Sequence, residues 1–304
     1  MRLATIRTEQ GTEAGIVLKT GVLTVGSLNR AAGTSYPTDV LSLIQRGELA
    51  SLQHAYESLA SGASGWQDSI VPFEKVRYAP LYTDPPRIFG IGLNYRDHAS
   101  DLSERPPDVF PGSFYKPATT IIGAGDEIHL PELPQATKTT AEGELGIILG
   151  RACRDVDEAD WASCIAGYTT VLDMTEESIL RLNPRYLTIA KSFDTFFSFG
   201  PQLVTPDEMP DPFQLKVQSV LNGQVHAENF VSNMTHQLPE LIALHSGIQG
   251  WLPGDILSTG TPRAFRIQDG DVAECRIVGP DGFAMEPLKN PVIDLKISKK
   301  GEES

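Results

Sequence analysis

The stretch that decides the reading is Glu142-Gly143-Glu144-Leu145-Gly146-Ile147-Ile148-Leu149. Its apolar second half reads as a strand. On a strand, residues two apart point to the same face, about 6.6 Å apart along the chain. Glu142 and Glu144 therefore present two like charges side by side, and something positive is expected near both. A divalent cation meets that need, and an all-oxygen ligand set selects Mg²⁺, Mn²⁺ or Ca²⁺ over zinc. Two ordinary carboxylates on a solvent-facing strand would give the same spacing.

Working outward, Tyr168-Thr-Thr-Val-Leu-Asp173 is an apolar run that ends in a carboxylate. A carboxylate at the end of a buried strand needs a partner. Asp173 is thus a third candidate ligand, or else the N-cap of a helix beginning near Thr175 with Glu176 and Glu177 in its first turn. Upstream, Arg87-Ile-Phe-Gly-Ile-Gly-Leu reads as a short buried strand, followed by Asn94-Tyr95-Arg96-Asp97-His98. A histidine just beyond a rigid strand suits a general base. Asp101 lies three residues on and shares a face with His98 if the segment is helical. Residues 101–113 have no periodicity and read as a mobile loop. Lys191 stands among aromatics in Lys191-Ser-Phe-Asp-Thr-Phe-Phe, and partial desolvation would prime it to meet an anion or enolate. In Trp251-Leu-Pro-Gly-Asp-Ile-Leu-Ser-Thr-Gly-Thr-Pro, the turn Thr259-Gly260-Thr261-Pro262 follows a strand and offers amides and hydroxyls to a carboxylate or oxyanion.

The whole chain has 304 residues, with 25 Lys plus Arg against 39 Asp plus Glu and a formal net charge of −14. So acidic a chain is a poor partner for nucleic acid or an anionic membrane. Hydrophobic residues at 40% exclude global disorder. Twenty-seven glycines and 22 prolines favour short strands. Cys153, Cys164 and Cys275 form no CxxC motif, which fits a reducing compartment. No apolar run is long enough to span a membrane, the N-terminus lacks a signal peptide, and the expected location is cytoplasmic. The sequence holds no P-loop, GxGxxG after a strand, GxSxG or HExxH motif, which removes most weight from nucleotide-dependent and serine-hydrolase chemistry.

The organisation predicted is β-rich α+β in two parts. Residues 1–83 form a small α+β domain. In it two strands meet near Lys19 and Thr20, and a helical pattern from Val40 to Leu59 is interrupted at Gly47. The joint Asp84-Pro85-Pro86 opens a second domain, 84–304. Later strands are predicted at 143–149, 165–172, 215–221 and 272–278, with a hairpin turn at Asn222-Gly223. A helix is predicted from Thr235 to a C-cap at Gly247.

Taken in order, Gly92-Leu-Asn-Tyr-Arg-Asp-His98, Phe114-Tyr-Lys-Pro, Glu142-Gly-Glu144, Ala166 to Asp173, Lys191-Ser-Phe-Asp, Val220-Leu-Asn-Gly and Pro253-Gly-Asp-Ile-Leu-Ser-Thr-Gly-Thr-Pro resemble the fumarylacetoacetate hydrolase family. The resemblance is colinear over about residues 87–290. It implies a mixed β-roll or β-sandwich catalytic domain, usually dimeric, preceded by a variable N-terminal domain. It implies Mg²⁺ or Mn²⁺ on Glu142, Glu144 and Asp173, with Ca²⁺ also admissible. His98 is implied as the base, with Asp101 in place of the family's glutamate. Lys191 is implied to meet the substrate's oxygens, and Tyr95, Lys116, Arg181 and Thr261 complete the expected substrate contacts. One departure stands out. Glu177 occupies the place of an arginine that commonly holds substrate, and Leu180 that of a glutamine, so either another cation such as Arg181 or Arg185 takes over the carboxylate or the substrate carries a different group there.

The implied activity is hydrolysis of a C–C bond in a 2,4-dioxo acid of the acylpyruvate type. A decarboxylase, tautomerase or hydratase of an α-keto acid such as oxaloacetate would use the same parts. A binding protein without turnover is the non-enzymatic alternative. The expected partner is a small keto acid, on a homodimer.

Overall fold

The structure is a computed structural model that describes residues 1–62, 64–96 and 107–297. Its N-terminal strands are β1 (Arg2–Thr8), β2 (Gly11–Leu18), β3 (Gly21–Thr24) and β4 (Ile70–Pro72). Next come β5 (Ile88–Gly92), β6 (Gly112–Lys116), β7 (Ile121–Ile122), β8 (Ile128–Leu130), β9 (Thr139–Leu149), β10 (Ile165–Glu176) and β11 (Phe197–Val204). The last are β12 (Lys216–Leu221), β13 (Gln224–Phe230), β14 (Ile256–Ser258), β15 (Ala264–Arg266), β16 (Val272–Val278) and β17 (Leu288–Asp294). The α-helices are α1 (Val25–Ala32), α2 (Val40–Gln45), α3 (Leu49–Gly62), α4 (Glu177–Leu182), α5 (Leu187–Lys191) and α6 (Leu238–Gln249).

Two mixed sheets result, as a β-rich α+β chain requires. The large one runs β4-β3-β2-β1-β11-β10-β9-β14-β5-β6, with β7 joined to β11 and β15 to β9. The small one runs β13-β12-β16-β17-β8. Most neighbours are antiparallel; β14–β5, β11–β7 and β17–β8 are parallel. Strands β9 and β10 are the centre of the large sheet and are buried along almost their whole length. Burial on both faces is why they read as apolar runs without alternation. Gly143 is one reason the small sheet can sit so close. A Cβ there would meet Cys275 Sγ and Ser219 Oγ at 3.1 Å. The residue between the two glutamates therefore faces the small sheet, and the glutamates face the other way.

Strand β1 carries no turn signal to mark it. It is a strand because it fits between β2 and β11, with Leu3 opposite Leu203. The N-terminal strands thus continue the large sheet. Leu3, Leu23, Leu28, Ile44 and Leu52 share one core with Val171, Phe199, Leu203 and Ile256. The helical stretch divides at Gly47, in the left-handed region at φ 67°, into α2 and α3. Thr24 and Asp39 cap α1 and α2 through their side chains.

Three local expectations shift. Thr175 and Glu176 remain in β10, and the helix starts at Glu177, because both residues pair with β9 in register (Thr175 with Thr140, Glu176 with Thr139). Helix α6 passes through Gly247 and closes at Gly250, whose φ of 66° and amide bond to the Ser246 carbonyl terminate it. Gly112 and Ser113 belong to β6, paired with Gly92 and Ile91, and not to the loop. The Asn222-Gly223 turn joins β12 to β13 as read, both residues at positive φ.

Leu203 is fully buried where β1 meets β11. Leu203→Ala is expected to lower the unfolding free energy by about 2–5 kcal/mol, measured by urea denaturation.

Candidate active site

The antiparallel register of β9 and β10 sets Asp173 directly opposite Glu142 and Val171 opposite Glu144. Three carboxylates therefore converge on one face. Glu142, Glu144 and Asp173 each offer an oxygen within 4.8 Å of the others, and all three are buried. Asp173 is not a helix cap: it lies within β10, three residues before the strand ends.

Two lysines answer these charges. Lys191, at the end of α5, donates to Glu142 Oε2 at 2.9 Å and to Asp173 Oδ2 at 2.6 Å. Its Nζ also lies 4.5 Å from the centre of the Phe114 ring. Lys116, on β6, donates to Asp173 Oδ1 at 2.5 Å and to the Met174 carbonyl at 3.0 Å. Thr175 donates to Glu142 Oε1 at 3.2 Å. Glu144 is held differently. Its Oε2 accepts from the Ser258 hydroxyl and, at 2.8 Å, from the Gly260 amide.

The electrostatics follow from this geometry. Burial alone would raise the Asp173 pKa, but the two ammonium groups overcome it and hold the group below the usual aspartate range. Burial, together with Asp173 and Glu142, pushes Glu144 up to about 8 despite its hydrogen bonds. Burial also lowers Lys116 to about 8, against the pull of Asp173. For Lys191 burial works downward too, yet Asp173 and Glu142 prevail and raise it. Three carboxylates face only two ammonium groups, and Glu144, which neither lysine touches, is the one whose ionisation its surroundings disfavour. A hard divalent cation fits this donor set. With metal–oxygen bonds of about 2.0–2.6 Å, one ion reaches oxygens up to about 5 Å apart.

The other predicted residues fall out as follows. Tyr95 is fully buried, and its hydroxyl has no hydrogen-bond partner among the described residues. Burial, and then the Glu144 charge, raise its pKa. Thr261 is buried, donates to the Arg263 carbonyl at 3.2 Å and lies 3.4 Å from Ser219 Oγ. Lys116, expected to touch substrate, is a direct partner of Asp173. Arg181 turns back one helical turn onto Glu177, with Nε 2.7 Å from Oε1, while Lys138 Nζ is 2.6 Å from Oε2. Burial opposes ionisation of Glu177, but hydrogen bonds from Lys138 and Arg181 win and hold its pKa below the usual range. His98 and Asp101 lie outside the described residues.

Residue-level reading missed Ser258 as a partner of Glu144. It identified the 259–262 turn as a carboxylate holder, but the carboxylate held is the chain's own. His236, which sequence reading did not single out, contacts both Asn94 and Pro107. Its spacing of four from Glu240 was the available signal.

Residues 87–293 match the family model described as fumarylacetoacetate (FAA) hydrolase C-terminal. The chain belongs to the fumarylacetoacetate hydrolase family. Among family relatives, a protein of Archaeoglobus fulgidus is 36% identical over 208 residues, 68% of this chain and 80% of its own. The mitochondrial oxaloacetate tautomerase FAHD2B of Homo sapiens is 32% identical over 250 residues, 79% of this chain and 77% of its own. Maleylpyruvate hydrolase from Sphingobium sp. SYK-6, solved with manganese(II) and pyruvate, superposes with a TM-score of 0.76 at 27% identity, covering 97% of this chain and 99% of that one. These family members are a tautomerase and a hydrolase, which supports enzyme status and a divalent metal here.

Gly260 sits at φ 100°, and a Cβ would come within 2.7 Å of Asn94 Cβ. Gly260→Ala is therefore expected to displace the amide from Glu144 and to weaken Mn²⁺ binding by about 10- to 100-fold, read by calorimetric titration.

Proposed function

We propose that this chain is a divalent-metal-dependent hydrolase that cleaves a C–C bond in a 2,4-dioxo acid of the acylpyruvate type. The observation that carries the reading is the buried cluster of Glu142, Glu144 and Asp173, all within 4.8 Å and one charge short of balance. The similarity to a hydrolase solved with manganese(II) and pyruvate supports it. In this reading the three carboxylates hold Mg²⁺ or Mn²⁺, which when bound supplies Lewis-acid polarisation of the substrate's oxygens.

The chain's own residues do the rest. His98, oriented by Asp101, takes a proton from a water that attacks the acyl carbonyl. The bond between the attacked carbon and the adjacent methylene breaks. Its electron pair goes to the pyruvate half, which leaves as an enolate and is protonated to pyruvate. Lys191 keeps Glu142 and Asp173 aimed, and its positive charge favours the developing enolate. The Tyr95 hydroxyl, without a protein partner among the described residues, is free to meet a substrate oxygen. The distal group of the substrate meets Arg181 and Lys138, which carry one positive charge beyond Glu177. The chemistry belongs to 84–304, with 1–83 as an N-terminal unit packed on it. A cytoplasmic homodimer is the accompanying assembly in this reading, and three free, buried cysteines fit a reducing compartment.

A second reading has its own support. The curated relatives at 31–32% identity over 79% of this chain are named oxaloacetate tautomerases. The same base would then move a proton between carbon and oxygen without placing a water.

Proton NMR of the Mg²⁺-loaded protein with acetylpyruvate, fumarylpyruvate and oxaloacetate separates the two. Pyruvate plus a free acid is the expected result. Accelerated keto–enol exchange of oxaloacetate alone would establish the tautomerase instead. EDTA is expected to abolish turnover and Mg²⁺ or Mn²⁺ to restore it; activity that survives chelation would remove the metal from the mechanism. His98→Ala is expected to lower kcat by about 10²- to 10⁴-fold while Mn²⁺ affinity, measured by titration, is retained.

A further inference from the structure

Strands β5 and β6 form a hairpin that closes at the pair Gly92 and Gly112. The connection between them carries His98, and its described ends are 93–96 and 107–111. Both ends are tied to one residue outside the hairpin. His236 precedes α6 and is 4% exposed. Its main-chain amide donates to Asn94 Oδ1 at 2.8 Å, and its carbonyl accepts from Asn94 Nδ2 at 3.1 Å. The Asn94 carbonyl in turn accepts from the Thr235 amide at 2.7 Å. At the other end, His236 Nε2 lies 2.7 Å from the Pro107 carbonyl. Nδ1 lies 2.7 Å from Glu240 Oε1, one helical turn along.

Asn94 extends the tie to the candidate metal site. It is fully buried, and its Nδ2 also donates to the Thr259 carbonyl at 2.8 Å. The next residue, Gly260, packs against Asn94 Cβ and donates its amide to Glu144. One continuous set of hydrogen bonds thus runs from Pro107 through His236 and Asn94 to the turn that holds Glu144. Neither Pro107 nor a Glu240 carboxylate can donate. Each ring nitrogen thus faces an oxygen fixed by a different segment.

We propose that His236 is a positioning residue: it fixes Asn94 and Pro107, at the described ends of the β5–β6 connection, to each other and to the 258–261 turn, and turnover depends on that tie. Its catalytic part rests on the reading of His98 as the base. A lone buried histidine in a core would satisfy one ring nitrogen locally. This one spends a ring nitrogen on a carbonyl 129 residues away in sequence, and its main chain on a side chain 142 residues away.

The test uses the full-length, Mg²⁺-loaded protein with two variants. His236→Phe retains a ring and loses both ring bonds; His236→Gln retains an amide donor for the Pro107 carbonyl. In His236→Phe, kcat on whichever substrate the wild type turns over is expected to fall by about 10- to 100-fold. KM is expected to move by less than about threefold, with Mn²⁺ affinity kept and activity partly rescued in His236→Gln. Amide hydrogen exchange at 94–96 and 112–113 is expected to rise by about tenfold or more in His236→Phe, with the β9–β10 pair unchanged. Exchange at those ends equal to wild type, or wild-type kcat in His236→Phe, or His236→Gln no better than His236→Phe, would overturn the proposal. If the wild type turned over nothing in the panel, the catalytic reading would fall by itself, and the exchange data alone would decide the tether.

Discussion

The architecture turns on a buried imbalance of charge. Three carboxylates meet on the paired centre of a sheet that is covered on both faces, where each uncompensated charge is costly. Lys116 and Lys191 approach from β6 and α5 and neutralise two of the three. Those ion pairs hold the C-terminal end of β10, the β5–β6 hairpin and the α4–α5 segment in one arrangement. The third carboxylate, Glu144, has hydrogen bonds but no lysine contact, and its surroundings oppose its ionisation. That asymmetry leaves a donor set that a hard divalent cation fits.

The small sheet and the long core exist in part to permit this. Gly143 lets β12 and β16 pack against the back of β9, so the front is left to the two glutamates. On the front, the 258–261 turn closes over Glu144 because Gly260 adopts a φ that a side chain would resist, and because Asn94 fills the space a Cβ would need. The metal-site geometry and the anchoring of the β5–β6 connection therefore share residues. This is the coupling by which a histidine outside the cluster can bear on chemistry inside it.

Glu177 shows how a family scaffold accommodates a reversed charge. At that position the chain builds a local group of Lys138, Glu177 and Arg181, with one positive charge to spare. The cation is moved by one helical turn, and the side chain of Arg181 stays exposed.

The glutamate pair and the aspartate were legible because strand periodicity is local: residues two apart must share a face, and an apolar run ending in a carboxylate marks itself. Class, most strand positions, the Asn222-Gly223 turn and the break at Gly47 were legible for the same reason. Where β10 ends was not, since Thr175 and Glu176 are strand only by pairing with Thr140 and Thr139. The continuation of the sheet through β1 and β11 depends on partners some 200 residues apart, which no local pattern encodes. The sequence by itself determined which atoms were available for chemistry: three carboxylates, two lysines and a turn of amides. Only the tertiary structure decided that register brings Asp173 opposite Glu142, that Lys116 serves Asp173, and that His236 joins distant segments. Those are relations between strands and loops far apart in the chain, set by packing and by the need to satisfy buried polar groups.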